Sequence, residues 1–200
     1  MVKLNEIEKE WLHKNHSHMV YDEERSVIIG LFSINHSYKD VTIKDSFNIE
    51  IRLSVMKNRE EYPDVYNTDG RIKKIAKRKN LKNEDLHVYA DNRLCLGLPI
   101  RFYEYYPNGF NLQQLFIHLS EHLYWVAYYE RYNTAPWPAE LHGEDAFVEY
   151  YFEVKDVDEI RRVYRKRFGI GISKQKIRNY LQSESQTNIL KQKILQNGWN

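Results

Sequence analysis

Residues 47–53 alternate strictly between apolar and polar side chains, whereas the apolar side chains of residues 112–126 recur at helical spacing. A period of two predicts a strand with one buried and one wet face, which is typical of an antiparallel sheet. A repeat of three to four residues predicts an amphipathic helix over about 111–131. The chain is therefore expected to pack helices against an antiparallel sheet in an α+β domain.

The other N-terminal patterns fit such a domain. Apolar residues at helical spacing predict an opening helix over about 4–17, and β-forming residues predict strands over 26–32 and 41–43. Residues 57–85 are mostly polar and include a run of lysines, so they predict loops around one short strand. Together with residues 47–53 this gives a sheet of about four strands, flanked by helices.

The C-terminal part is less regular. The long helix is expected to end where prolines follow it, and residues 147–152 predict a further strand or an extended packing segment. Polar stretches at 156–168 and 173–197 predict appended helices. We therefore expect a domain of residues 1–154 and a helical C-terminal extension of residues 155–200.

The chain contains one cysteine, which cannot form an intrachain disulfide. Residues 1–6 lack the apolar core of a secretory signal, so a cytoplasmic location with a reduced thiol is expected. No window approaches the ~18 consecutive apolar residues of a membrane span. Basic residues cluster at 73–82 and 161–167, which is typical of a solvated loop and a solvated helix face, so nucleic-acid binding is not predicted.

Cys95 follows a strand-like stretch and precedes the turn formers Gly97 and Pro99. A thiolate is a strong nucleophile, and a nearby cation such as Arg93 or His87 would favour the thiolate over the thiol. The alternative is a buried cysteine that acts only as a small hydrophobic side chain. The first interpretation predicts a solvent-accessible sulfur.

The segment that contains this cysteine, residues 88–96, reads Val-Tyr-Ala-Asp-Asn-Arg-Leu-Cys-Leu. It resembles the active-site segment of ubiquitin-conjugating enzymes, which reads His-Pro-Asn and then Val/Ile-Tyr-x-x-Gly-x-Ile-Cys-Leu. Tyr62-Pro63 stands at the place of the family's Tyr-Pro turn, and the order of opening helix, strands, cysteine and long helix is similar over roughly residues 1–130. The resemblance implies a ubiquitin-conjugating-enzyme-like fold.

The resemblance also implies that Cys95 accepts an acyl group as a thioester and passes it to an amine or a second thiol, without a cofactor. His87 stands at the family's asparagine, which stabilises the oxyanion, and an imidazole N–H can serve the same purpose. Asn92 stands at the family's glycine and tolerates a left-handed backbone conformation, so Asn92 and Arg93 are expected to shape the loop. The chain departs from the family at Leu86, where the family has proline, and lacks Trp-Ser-Pro before the next helix.

This divergence resembles the bacterial conjugating-enzyme-like proteins of antiphage islands, including the short form encoded beside a cGAS-like nucleotidyltransferase in CBASS operons. The resemblance implies a transferase of antiviral defence that conjugates the nucleotidyltransferase. Nothing in the sequence resembles an ATP-binding adenylation domain. The expected partner is therefore a protein whose C-terminus is already activated, or the neighbouring synthase itself.

A second cluster of distinctive side chains lies at 137–145, which reads Trp-Pro-Ala-Glu-Leu-His-Gly-Glu-Asp. One interpretation places this segment beside Cys95, where His142 acts as a base for the incoming amine or Glu140 orients it. The other interpretation is a packed loop without a chemical role.

Two other functions compete with acyl transfer. The same fold can serve as a catalytically idle docking module. In addition, His118-Leu-Ser-Glu121-His122 fits the His-x-x-Glu-His signature of a family of zinc metalloproteases. The third zinc ligand would come from one of three residues: Glu140, His142 or Glu149. Because these histidines border the apolar stripe of a helix that must pack, the sequence favours the absence of bound zinc.

Overall fold

The computed structural model describes residues 1–138, 146–147, 149–150, 162–165, 169 and 171. The chain divides into two units, Met1–Ala139 and Glu140–Asn200. The predicted boundary between residues 154 and 155 lies outside the described residues. The helices and strands of the first unit are, in chain order, α1 Glu6–Asn15, β1 Met19–Asp22, β2 Val27–Tyr38, β3 Val41–Arg52, β4 Asp64–Asn67, α2 Arg71–Arg78, α3 Phe102–Tyr105 and α4 Leu112–Tyr132.

The four strands of this unit form one antiparallel sheet in the order β1-β2-β3-β4, which confirms the predicted mixed architecture. The strands expected at 41–43 and 47–53 are parts of a single strand, β3, which pairs with β2 along its whole length. Polar side chains pair across the two strands at Ser33 and Ser46, whose hydroxyl oxygens are 3.1 Å apart, and at Ser37 and Thr42, whose hydroxyl oxygens are 2.7 Å apart. The pairing of β2 with β3 therefore continues through the residues where the alternation of apolar and polar side chains is interrupted.

The core lies between the sheet and α4, which packs on β2 and β3. Both predicted helices of this unit are confirmed. A capping box of Asn5 and Glu8 begins α1, and the side chain of Asn111 caps α4 by accepting a backbone N–H of the first turn. Phe116 of α4 contacts Phe32 of β2, with ring centroids 5.1 Å apart. Among the described helices, α4 included, none is long and apolar enough to cross a membrane.

The prediction of loops over 57–85 is wrong at α2, which is a helix across the run of lysines. Its buried face consists of three residues at helical spacing: Ile72, Ile75 and Ala76. The side chain of Asn67 starts the helix, because its Oδ1 accepts the N–H of Ile72 at 2.9 Å. The lysines therefore lie on the partly or fully exposed face of a helix and not in a loop.

In the second unit, neither the strand nor the extended packing segment predicted over 147–152 is observed at the described positions. Residues 146, 147, 149 and 150 are helical and buried. Buried side chains three to four residues apart fit one face of a helix, whereas the aromatic composition had favoured a strand. The helices predicted over 156–168 and 173–197 lie mostly outside the described residues, of which 162–165 are helical.

Candidate active site

Residues 87–95 form a small hairpin beside β4. The N–H of Cys95 donates to the carbonyl of His87 at 2.8 Å, and the N–H of Tyr89 donates to the carbonyl of Arg93 at 2.8 Å. The chain reverses between these pairs, where the N–H of Asn92 donates to the carbonyl of Tyr89 at 3.1 Å. The hairpin thus brings together four residues that the sequence singled out, with His87 opposite Cys95.

Three contacts fasten this hairpin to neighbouring elements. On β4, the carbonyl of Val65 accepts the N–H of Leu94 at 2.7 Å, and Asn67 donates its N–H to the carbonyl of Asn92 at 3.0 Å. From α2, Lys73 Nζ donates to a carbonyl oxygen in the turn of the hairpin at 2.7 Å. The hairpin is therefore a short extension of the sheet, and its shape depends on β4 and α2.

Asn92 adopts the left-handed conformation predicted from its position at the family's glycine, with a φ of 69°. Asparagine is among the few residues other than glycine that adopt this conformation at low cost. The carbonyl of Asn92 binds Asn67, so this backbone conformation also determines how the hairpin meets β4.

Cys95 is half-buried and lies between Leu94 and Leu96, which are both buried. Side chains alternate along an extended segment, so the leucines point into the core and the thiol points away from it. Tyr89 Oη donates a hydrogen bond to Cys95 Sγ over 3.4 Å. The sulfur is therefore partly accessible, and a phenol hydroxyl lies against it.

Arg93 contacts an acid and an aromatic ring. Its Nη1 lies 3.0 Å from Asp64 Oδ1, and its guanidinium carbon lies 4.9 Å from the centroid of the Tyr89 ring. The hydrogen bond to Asp64 raises the pKa of Arg93 above its ordinary value, although burial opposes that shift. The cation that the sequence placed near the sulfur thus lies over the ring whose hydroxyl contacts the sulfur.

His87 has a left-handed backbone, with a φ of 54°, and its ring lies against α4. The ring centroid is 5.4 Å from that of Trp125, with an interplanar angle of 88°, and 5.7 Å from that of His122, with an interplanar angle of 67°. Edge-to-face pairs of this kind stabilise a fold beyond the area they bury. His87 therefore joins the hairpin to α4 through its side chain and to Cys95 through its backbone.

The Tyr62-Pro63 turn lies beside the loop that follows the cysteine. Pro63 is buried immediately before β4, and the ring of Tyr62 contacts that of Phe102 at 5.1 Å. Gly97 has a φ of 139°, and a Cβ on it would lie 3.3 Å from Tyr62 Oη. A residue without a side chain is required at this position, because both the backbone conformation and the neighbouring hydroxyl disfavour a Cβ.

The two histidines of the zinc signature each contact an aromatic ring outside α4. His118 stacks on Tyr105 with centroids 4.7 Å apart, and its Nδ1 is 3.2 Å from Tyr106 Oη. His122 faces the ring of His87. In the part of the chain that the structure describes, no group of three or more His, Cys, Asp and Glu side chains is arranged to hold a metal ion.

The predicted base His142 and the neighbouring Glu140 lie outside the described residues. Sequence analysis had not placed Tyr89 or Asp64 in the site. Tyr89 belongs to the segment that resembles the active-site motif. A hairpin with its turn at 90–92 pairs Tyr89 with Arg93, so the register of the hairpin would have identified Tyr89 as a neighbour of Arg93. No sequence signal relates Asp64 to this hairpin, because the contact depends on how the hairpin pairs with β4.

Comparison of the chain with protein-family models, with curated proteins and with solved structures gives no match. Function is therefore inferred from the site itself and from the resemblance of its sequence segment.

Proposed function

We propose that this protein is a cytoplasmic acyl-transfer enzyme of the ubiquitin-conjugating type, with Cys95 as the residue that carries the thioester. The observation that carries the proposal is the setting of the thiol. Cys95 lies between two buried leucines on a hairpin fastened to the sheet, with its sulfur outside the core and a hydroxyl donating to it. A cysteine that served only as core packing would place its sulfur among the leucines.

The reaction has two steps. In loading, the Cys95 thiolate attacks the activated carboxyl carbon of a partner protein, and the previous carrier leaves with its bonding electrons. In discharge, an amine attacks the thioester carbonyl, the C–S bond breaks, and the thiolate returns to Cys95 while the amine loses a proton to solvent. A second thiol can replace the amine, in which case the product is a new thioester.

The oxyanion of the discharge step needs a donor, and the resemblance assigns that role to His87. The backbone hydrogen bond that places His87 opposite Cys95 in the hairpin supports this assignment, and the imidazole would turn from its contacts with Trp125 and His122 of α4 to reach the oxyanion. Asn92 and Arg93 hold the shape of the same hairpin through the turn and through Asp64. His142, in the cluster of distinctive side chains at 137–145, is proposed as the base that takes the proton of the incoming amine and releases it to solvent.

The partners follow from the chemistry and from the resemblance. Loading requires a protein with an activated C-terminus, because the described site offers a nucleophile and the chain resembles no adenylating domain. The similarity to bacterial proteins of CBASS operons makes a cGAS-like nucleotidyltransferase the proposed target, and antiviral defence the proposed setting.

The test is a loading assay with the proteins encoded beside this gene as candidate donors. We expect a covalent species on the wild-type chain that disappears on addition of reducing agent. Cys95→Ser should convert this species into an ester that resists reduction, and Cys95→Ala should abolish it. A wild-type chain that binds the same proteins but never forms the species would establish the docking-module alternative.

A further inference from the structure

We propose that the Tyr89 hydroxyl stabilises the Cys95 thiolate, and that Arg93, held by Asp64, positions the Tyr89 ring for this purpose. This inference rests on the proposed function, because it assigns the group that acts on the sulfur when the thioester forms and breaks. It is separate from the role expected of His87, which concerns the carbonyl oxygen of the acyl group and not the sulfur.

The contact between the two side chains is direct. Tyr89 Oη lies 3.4 Å from Cys95 Sγ and donates to it, which is an ordinary separation for a hydrogen bond to the large sulfur atom. Sulfur is a weak acceptor as a thiol, but a hydrogen bond to an ionised group is markedly stronger than one between neutral groups. The hydroxyl therefore favours the thiolate over the thiol, and it does so without giving up its proton.

The ring of Tyr89 contacts the charged side chain of Arg93, which is bound in turn to an acid of the sheet. The Arg93 guanidinium lies 4.9 Å from the ring centroid, within the range of a cation–π interaction, and Asp64 at the start of β4 holds Arg93 at 3.0 Å. A cation over the ring draws electron density from it, which makes the phenol O–H a better donor. Because Tyr89 is exposed, this contact also helps to hold its ring beside the sulfur.

The same contact assists both proposed steps. During loading, the hydrogen bond raises the fraction of Cys95 present as the attacking thiolate. During discharge, it stabilises the negative charge that the sulfur acquires as the C–S bond breaks. The amine proton goes to solvent in each turnover, so Tyr89 starts and ends as a neutral phenol.

The experiment measures alkylation of Cys95 in the folded protein with iodoacetamide, from pH 6 to pH 10. Cys95 is the chain's single cysteine, so the label reports on one site. Tyr89→Phe keeps the ring and removes the hydroxyl. We expect this variant to react about threefold more slowly at pH 7, because losing the hydrogen bond favours the unreactive thiol by more than it raises the nucleophilicity of the remaining thiolate. At pH 10, where the thiolate predominates in both proteins, the variant should react as fast as the wild type or faster.

Tyr66→Phe is the matched control. Tyr66 also has an arginine over its ring, Arg52 at 4.2 Å, and its hydroxyl also has a close polar partner, Asp64 Oδ2 at 3.4 Å. Tyr66→Phe should alkylate at the wild-type rate, because Tyr66 Oη contacts Asp64 Oδ2 whereas Arg93 Nη1 contacts Oδ1, so the pair of Asp64 and Arg93 remains. Asp64→Asn removes the negative charge that is paired with Arg93. It should slow alkylation by less than Tyr89→Phe does, and should have no further effect when combined with Tyr89→Phe.

A Tyr89→Phe variant that matches the wild-type rate at every pH overturns the inference, as does an equal loss of rate in Tyr66→Phe. Alkylation does not require the acyl partner, so this result is independent of the loading assay. If Tyr89→Phe slows alkylation but the wild type never forms a thioester, the contact with the sulfur stands and the proposed function fails.

Discussion

Replacing His87 by alanine is expected to slow discharge of the thioester while leaving its formation largely intact. Loading needs mainly the thiolate, whereas attack by an amine builds a negative oxygen that a donor must stabilise. Losing one such donor slows the step by about 10²–10³-fold. The same substitution removes the ring contacts with Trp125 and His122, each worth about 0.5–1.5 kcal/mol. His87→Ala should therefore also lower the free energy of unfolding by about 1–3 kcal/mol.

Two further variants of His87 separate the donor from the packing. His87→Asn keeps an N–H donor and tolerates the φ of 54°, but it removes the aromatic contacts with α4. His87→Phe keeps an aromatic ring of similar shape and removes the donor. We expect His87→Asn to discharge near the wild-type rate with reduced stability, and His87→Phe to discharge as slowly as His87→Ala with stability closer to wild type.

The assay is a single-turnover experiment in which loaded chain is mixed with excess amine and the loss of thioester is followed on non-reducing gels. Urea unfolding of the same variants gives the stability of each. If His87→Phe discharges at the wild-type rate, the imidazole has only a packing role. The oxyanion donor would then be sought among the backbone amides near Asn92 or at His142.

Two other substitutions test the structure at Gly97, in the loop that follows the cysteine, and at His16, at the end of α1. Gly97→Ala should lower the free energy of unfolding by about 1–3 kcal/mol, because the φ of 139° and the hydroxyl of Tyr62 both disfavour a Cβ at this position. Urea unfolding measures this loss. Burial among aromatic rings lowers the pKa of His16, so the unfolded chain binds a proton that the folded chain does not. Stability should therefore fall as pH drops below the ordinary histidine value of about 6.5, and His16→Gln should weaken that dependence in urea titrations at pH 7.5 and 5.5.

The elements that follow one clear periodicity were predictable from sequence. The apolar stripe of α4 and the alternation in the second half of β3 each repeat over several turns or residues, so a few exceptions do not obscure them. Helix α2 was missed because its buried face has three residues, set among lysines and arginines. Its start depends on Asn67, a residue of β4, and a cap supplied from the preceding strand is visible only once that strand is placed.

In the site, too, features that depend on neighbouring residues in the sequence were predictable, whereas contacts between distant residues were not. The left-handed turn at Asn92 follows from the residue type and its place in the motif, and it is present. The contact between Arg93 and Asp64 joins residues that are 29 positions apart and that meet only through the pairing of the hairpin with β4. Tyr89 becomes a site candidate once the register within the hairpin is known.

At position 87 this chain has histidine, whereas the motif of ubiquitin-conjugating enzymes that the segment resembles has asparagine. This difference bears on the choice between the proposed enzyme and the docking module. An imidazole offers a donor as an asparagine amide does, but it also adds an aromatic surface that packs edge-on against Trp125 of α4. A docking module would need only that second property, because it requires a rigid hairpin and not a donor. An acyl carrier would need both. The two functions therefore predict different outcomes for His87→Phe, which retains the aromatic surface: a docking module with this substitution should bind its partner as the wild type does, whereas an acyl carrier should accumulate undischarged thioester.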